Sequence, residues 1–147
     1  AAQKLYAMPS ASDMDIVIVN ANAKGNEASI ASSLASMALT EKGGDIVLVD
    51  HTKMGQVTHY LFGSFGVGGA TGGRRHGKLP KQRPQVNRYI CWMPYPDHSS
   101  SHWFGEIDKQ IYVDTWEEVM DLLVKAHGDH PKVCIIADGT ISYYSRE

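Results

Sequence analysis

The stretch Asp15–Asp50, DIVIVNANAKGNEASIASSLASMALTEKGGDIVLVD, decides the fold. It opens and closes on near copies, DIVIV at 15–19 and DIVLV at 45–49. Each is apolar and largely β-branched after its Asp. Runs of this kind suit strands covered on both faces. Between them, Ile30, Leu34, Met37 and Ala38 recur at helical spacing, and Ala31 and Ala35 add small residues that let a helix lie close to a sheet. The spacing predicts a helix over 27–42, stopped by Gly43–Gly44. Strand, loop, helix and strand make a βαβ unit. In such units the polar loop, here 20–29, sits at the carboxyl end of its strand beside a helix N-terminus, where open α/β sheets tend to bind ligands.

The rest of the chain extends the alternation. Ala1–Ala7 reads as a helix closed by Pro9, and 57–65 (VTHYLFGSF) as a short amphipathic one. Strands are predicted at 86–93, 111–113 and 132–137. Asp114–His127 is the best-marked helix, with Thr115 as N-cap, Glu118 three residues later and Gly128 as its stop. The expected fold is a three-layer α/β/α domain over 1–147, with a mostly parallel sheet of four to five strands. The segment 66–84, GVGGATGGRRHGKLPKQRP, has little to bury and reads as a mobile, basic, glycine-rich loop.

Composition narrows the function. The 147 residues are 43% hydrophobic and 20% charged, with a net charge of −2. No basic field argues for nucleic acid, no apolar run reaches the roughly 18–20 residues of a membrane span, and no signal-peptide pattern opens the chain. Cys91 and Cys134 sit in apolar runs and read as reduced thiols, which fits a cytoplasmic protein. The opening AAQKLYAMPSAS, without an initiator Met, predicts a domain cut from a longer protein.

Four segments carry chemistry. In the first loop, Asn20, Asn22, Lys24, Asn26 and Ser29 beside free helix amides suit a carboxylate or phosphate. There is no G-x-G-x-x-G for a dinucleotide. The second, 51–59, places His51, Thr52 and Lys53 at a strand's carboxyl end, with His59 further on. A His there suits a general base or a metal ligand, or else a surface or helix-capping role. In the third, Arg74, Arg75, His76, Lys78, Lys81 and Arg83 lie in glycine-rich backbone that can wrap an anion, although no Walker pattern occurs. The fourth holds His98, His102, Trp103 and Phe104 around three serines, without a G-x-S-x-G elbow.

The run AAQKLYAMPSASDMDIVIVNANAKGNEASIASSLASMAL resembles the start of the C-terminal domain of the nickel-dependent lactate racemase family. IYVDTWEEVMDLLVKAHGDHPKVCIIADG resembles that family's closing helix, strand and D-G turn. The resemblance implies a two-domain protein with its active site in the cleft between domains. It implies a racemase or epimerase of a small hydroxy acid that is inactive as this chain alone. The nickel-pincer nucleotide would be held by an absent N-terminal domain, leaving no cofactor or metal site in this chain. The family's Gln and Lys on the helix after the first strand fall on Ser32 and Ala35, and its Gly-Gly on Asn22–Ala23. Asn20, Asn22, Lys24, Ser32, His51, Lys53, Arg74 and Arg75 are the expected substrate-binding residues. The expected partners are a small anionic substrate, the missing domain and a homo-oligomeric copy, with neither nucleic acid nor membrane. Two other readings are a non-catalytic α/β ligand-binding or interaction domain, and a small hydrolase or phosphate-binding enzyme using His51 or His98.

Overall fold

A computed structural model describes residues 2–53, 83–98, 101 and 105–145. The elements run α1 (Ala2–Tyr6), β1 (Ala7–Met8), β2 (Ile16–Asn20), a 3-10 segment (Asn22–Glu27) and α2 (Ala28–Ser36). They continue with β3 (Gly44–Val49), β4 (Val86–Trp92), a 3-10 turn (Ile107–Lys109), β5 (Gln110–Val113), α3 (Trp116–His127), β6 (Val133–Ile136) and β7 (Tyr143–Tyr144). Five strands form one sheet in the order β5-β4-β3-β2-β6. Every neighbouring pair in it is parallel. Helices pack on both faces, so the fold is a three-layer α/β domain.

The DIVIV/DIVLV echo has a simple meaning. Its two copies are adjacent central strands, with Ile16 opposite Asp45 and Val19 opposite Leu48. Alternate residues point to opposite faces. Val17, Val19, Ile46, Leu48, Tyr89, Cys91 and Ile136 pack with Ala31, Leu34 and Ala35 of α2. Ile16, Val47, Ile90 and Val113 pack with Val119 and Leu123 of α3. Cys91 is buried, Cys134 is half-buried, and both are free thiols.

The α2 helix stops at Ser36, not Lys42. Beyond it Met37 N–H donates to Leu34 O and Ala38 N–H to Ala35 O, tightening the last turn. Leu39 then bridges Met14, with Thr40 N–H on Met14 O and Met14 N–H on Ala38 O. The linker before β2 thus competes for backbone groups that a longer helix would use. Gly43, at φ +101°, makes the turn into β3 in a conformation other residues rarely adopt. The first helix is also shorter than read from sequence: Ala7–Met8 leaves it to pair in parallel with Tyr143–Tyr144, a two-stranded sheet that the sequence did not announce.

The capping box of α3 forms as its spacing predicts. Glu118 N–H donates to Thr115 Oγ1 at 3.2 Å, and Thr115 N–H to Glu118 Oε2 at 2.9 Å. At its other end His127 Nε2 lies 2.7 Å from Asp45 Oδ2. Asp45 is buried, and Arg88 grips the same carboxylate through Nε and Nη2. Arg88 Nη2 also donates to Leu122 O at 3.3 Å. A buried carboxylate needs such partners, and this one fastens α3 to the amino end of β3. The predicted 57–65 helix lies outside the described residues, as does the 66–84 loop apart from Arg83 and Pro84. No helix among the described residues is long and apolar enough to cross a membrane.

Candidate functional site

Strand order reverses beside β2. From β2 the chain passes through α2 to β3 on one side, while β6 joins the other side only after α3. In parallel sheets such a switch point opens a crevice at the carboxyl ends. Here those ends are stitched together by hydrogen bonds. Gly139 N–H donates to Asn20 O at 2.8 Å, Ala21 N–H to Val49 O at 2.8 Å, and Asp50 N–H to Trp92 O at 3.2 Å. Side chains add to this. Asn20 Oδ1 accepts from Asn22 N–H at 2.8 Å, and Asn22 Oδ1 accepts from His51 N–H at 2.6 Å. The asparagine-rich loop after β2 and the loop after β3 are therefore one rim.

The strands flanking β2 end on the same turn. Asp50-His51-Thr52 follows β3, and Asp50 Oδ1 accepts from Thr52 N–H at 2.9 Å and from Thr52 Oγ1 at 2.7 Å. Asp138-Gly139-Thr140 follows β6, and Asp138 Oδ1 accepts from Thr140 N–H and Oγ1 at the same two distances. The short acidic side chain folds back on the backbone two residues on. Sequence reading missed this pair, although D-x-T after each of two apolar runs was its signal. Asp50 is fully buried. The loop before α2 closes over it so tightly that a Cβ at Gly25 would fall 2.2 Å from Thr52 Oγ1 and 2.8 Å from Asp50 Oδ2. Only glycine fits there.

Above this floor, Asn22, Lys24, His51 and Lys53 are exposed and Asn20 is half-buried. Five of the eight sequence-predicted substrate-binding residues thus share the rim. The His51 ring stands edge-on to Trp92, centroids 4.3 Å apart, and Trp92 lies 5.4 Å from Trp116. Trp92 Nε1 donates to Asp114 O at 3.2 Å, which fixes the indole. Two cationic side chains, an imidazole and an amide at one sheet end suit a small carboxylate.

Ser32 lies apart, fully buried on α2. Arg83 Nη1 is 3.5 Å from its Oγ, and Arg83 Nη2 hydrogen-bonds Ser33. Arg83 N–H donates to Glu106 Oε1 at 3.3 Å, Tyr89 OH to Glu106 Oε2 at 3.1 Å, and Lys109 Nζ to Glu106 Oε1 at 3.2 Å. Burial alone would raise the Glu106 pKa, but these hydrogen bonds hold it below the usual glutamate range. Burial pushes Tyr89 up to about 12. The joining of Arg83, Tyr89 and Glu106 across the sequence had no local signal. His98 packs edge-on against Tyr112 at 4.5 Å, and Ser101 Oγ donates to the His98 carbonyl rather than to its ring. Arg74, Arg75, His59, His102, Trp103 and Phe104 lie outside the described residues.

Among the described residues no group of three or more His, Cys, Asp or Glu is placed to hold a metal ion. No family model and no curated protein matches this chain.

Proposed function

We propose that this chain is the cleft-forming domain of a racemase- or epimerase-like enzyme acting on a small hydroxy acid, and that it does not turn over alone. The observation that carries the reading is the Asn22–His51 hydrogen bond of 2.6 Å, which joins the loops after β2 and β3 into one rim. Lys24 and Lys53 on that rim attract the substrate carboxylate, and Asn22 donates through its side-chain amide. His51, backed by Trp92, meets the hydroxyl and takes or returns its proton. Inverting the carbon also requires its hydrogen to leave and return on the opposite face. In the resembling family a nickel-pincer nucleotide supplies that chemistry. On this reading this chain holds and orients the substrate and exchanges its hydroxyl proton at His51.

Titrating the labelled chain with D- and L-lactate tests this by NMR. Amide shifts at Asn22, Lys24, His51 and Lys53 are expected, weak in affinity and abolished in a Lys24→Ala, Lys53→Ala double variant. No shift at the highest soluble concentration, shifts that survive the double variant, or racemisation by the chain alone would overturn the reading.

A second reading, a non-catalytic ligand-binding domain, draws support from α2. That helix carries only Ala, Ser, Ile and Leu, and Ser32 and Ala35 are fully buried. It therefore turns no ionisable side chain toward the rim. Stereochemical exchange on addition of a cofactor-bearing partner domain separates the two.

A further inference from the structure

The rim changes character along its length. On the β2 and β3 side it is polar: Asn22 and His51 are joined by their 2.6 Å hydrogen bond, and Lys24 and Lys53 are exposed beside them. On the β4 side it is aromatic. Trp92 ends β4, directly across from Val49 of β3, and Trp116 opens α3. Their rings lie 5.4 Å apart, tilted by 48°. Both are half-buried, packed against the core beneath α3 with part of each ring left at the surface. The residues on the same side further down the strands, Val47 and Ile90, are aliphatic. The indoles are therefore confined to the end of the sheet where the polar rim lies.

Trp92 uses its one donor within the fold, on Asp114 O at 3.2 Å. What it offers a ligand is the apolar ring alone. The His51 ring stands at 88° to that indole, with centroids 4.3 Å apart. Two rings at right angles make a corner: the imidazole wall accepts or donates a proton, and the indole wall takes apolar surface. The backbone under the corner is tied on both sides, by Asn22 Oδ1 on His51 N–H and by Trp92 O on Asp50 N–H at 3.2 Å. Neighbouring strands lie about 4.8 Å apart, so the indole wall begins one strand beyond His51. The methyl group of lactate is too short to cover it from the His51 side. A ring carried one carbon further out reaches it.

The geometry points to a 2-hydroxy acid with an aromatic side chain, of the 3-aryl-lactate type, as the substrate class of this rim, with Trp92 and Trp116 setting the preference. This rests on the reading of the rim as a hydroxy-acid site. The carboxylate lies at Lys24 and Lys53 and the hydroxyl at His51. The aryl ring lies against Trp92, edge-on or offset as aromatic pairs prefer, with Trp116 on its far side. An aliphatic hydroxy acid makes the same polar contacts and leaves both indoles facing water.

The test is an NMR titration of the labelled chain with D- and L-3-phenyllactate beside D- and L-lactate, followed at the backbone amides and at the indole N–H signals. Phenyllactate is expected to bind about tenfold more tightly than lactate, the scale of one aromatic contact with its buried area. It should shift the same Asn22, Lys24 and His51 amides, and also the Trp92 and Trp116 indole signals, which lactate leaves in place. Trp92→Leu is expected to abolish the preference for phenyllactate. Trp116→Leu, at the start of α3, should lower it about threefold, and this variant carries the test where Trp92→Leu impairs folding. Equal affinity of the two acids at the rim would overturn the aromatic preference and leave the hydroxy-acid reading standing. Phenyllactate shifts that survive the Lys24→Ala, Lys53→Ala double variant, or a preference unchanged in the folded tryptophan variants, would also overturn it. If neither acid moves the rim amides, both readings fall.

Discussion

The two faces of the sheet have nearly the same apolar content and opposite fates. On the α2 face, Val17, Val19, Ile46, Leu48, Tyr89, Cys91 and Ile136 are all sealed. On the α3 face, Ile16, Val47 and Ile90 are sealed, but Val133 and Ile135 lie bare and Val124 of α3 is 52% exposed. One face is closed by apolar packing. The other is held by a helix capped at its start by Thr115 and Glu118 and fastened to the sheet at its end through the Asp45–Arg88–His127 cluster, with a gap alongside. An apolar strand pattern therefore reports that a residue is fit for burial; which neighbour covers it depends on where the crossover helix lands.

The contrast can be broken most completely with alkali. Burial holds the Cys91 thiol up to about 12, from an ordinary value of 9.0, and Tyr89 is raised as well. In the unfolded chain both ionise earlier. The stability they contribute is complete below about pH 9 and is lost as pH rises toward 12. Unfolding in denaturant should show stability collapsing over that window, and Cys91→Val should move the collapse to higher pH. An unchanged pH profile in Cys91→Val would place the weakness elsewhere.

Truncation compares the faces directly. Leu48→Ala, on the sealed face, should cost about 2–5 kcal/mol. Ile135→Ala, on the open face, should change stability by no more than about 0.5 kcal/mol. Comparable losses for the two would mean that β6 is covered in solution. Asp45→Ala should cost about 2–3 kcal/mol, because it strands Arg88 beside the core while releasing His127; hydrogen exchange should rise first in the last turn of α3. Thr115→Ala should cost less than Asp45→Ala, about 1 kcal/mol, confined to the first turn of α3.

Much of this is legible in the sequence. The 15–50 stretch announced β2, α2 and β3 because their periodicities are strong and local. The α3 cap was legible because Thr115 and Glu118 sit at fixed spacing. The early end of α2 was not, because it depends on Met14 reaching Leu39 from outside the helix. The β1–β7 pairing was hidden for the same reason: two residues leave no periodic trace. At the site, Asn22 and His51 each read as loop residues at strand ends, and their direct bond is tertiary. Arg83 reads as one cation in a basic run, yet its neighbours Ser32, Ser33 and Glu106 come from distant segments. Hydrogen bonds between remote loops carry no signature in a single sequence.

The register of Ile16–Val19 against Val133–Ile136 bears on biosynthesis. The partners are separated in the chain by α2, β3, β4, β5 and α3. During synthesis β2 leaves the ribosome well before β6 and can zip to β3, but its other edge stays unsatisfied until β6 emerges. The nascent domain thus carries a naked strand edge, in its centre, until β6 has been made. That makes the half-made protein a client for chaperones that shield extended backbone, and slowed elongation between β5 and β6 would lengthen its exposure to aggregation.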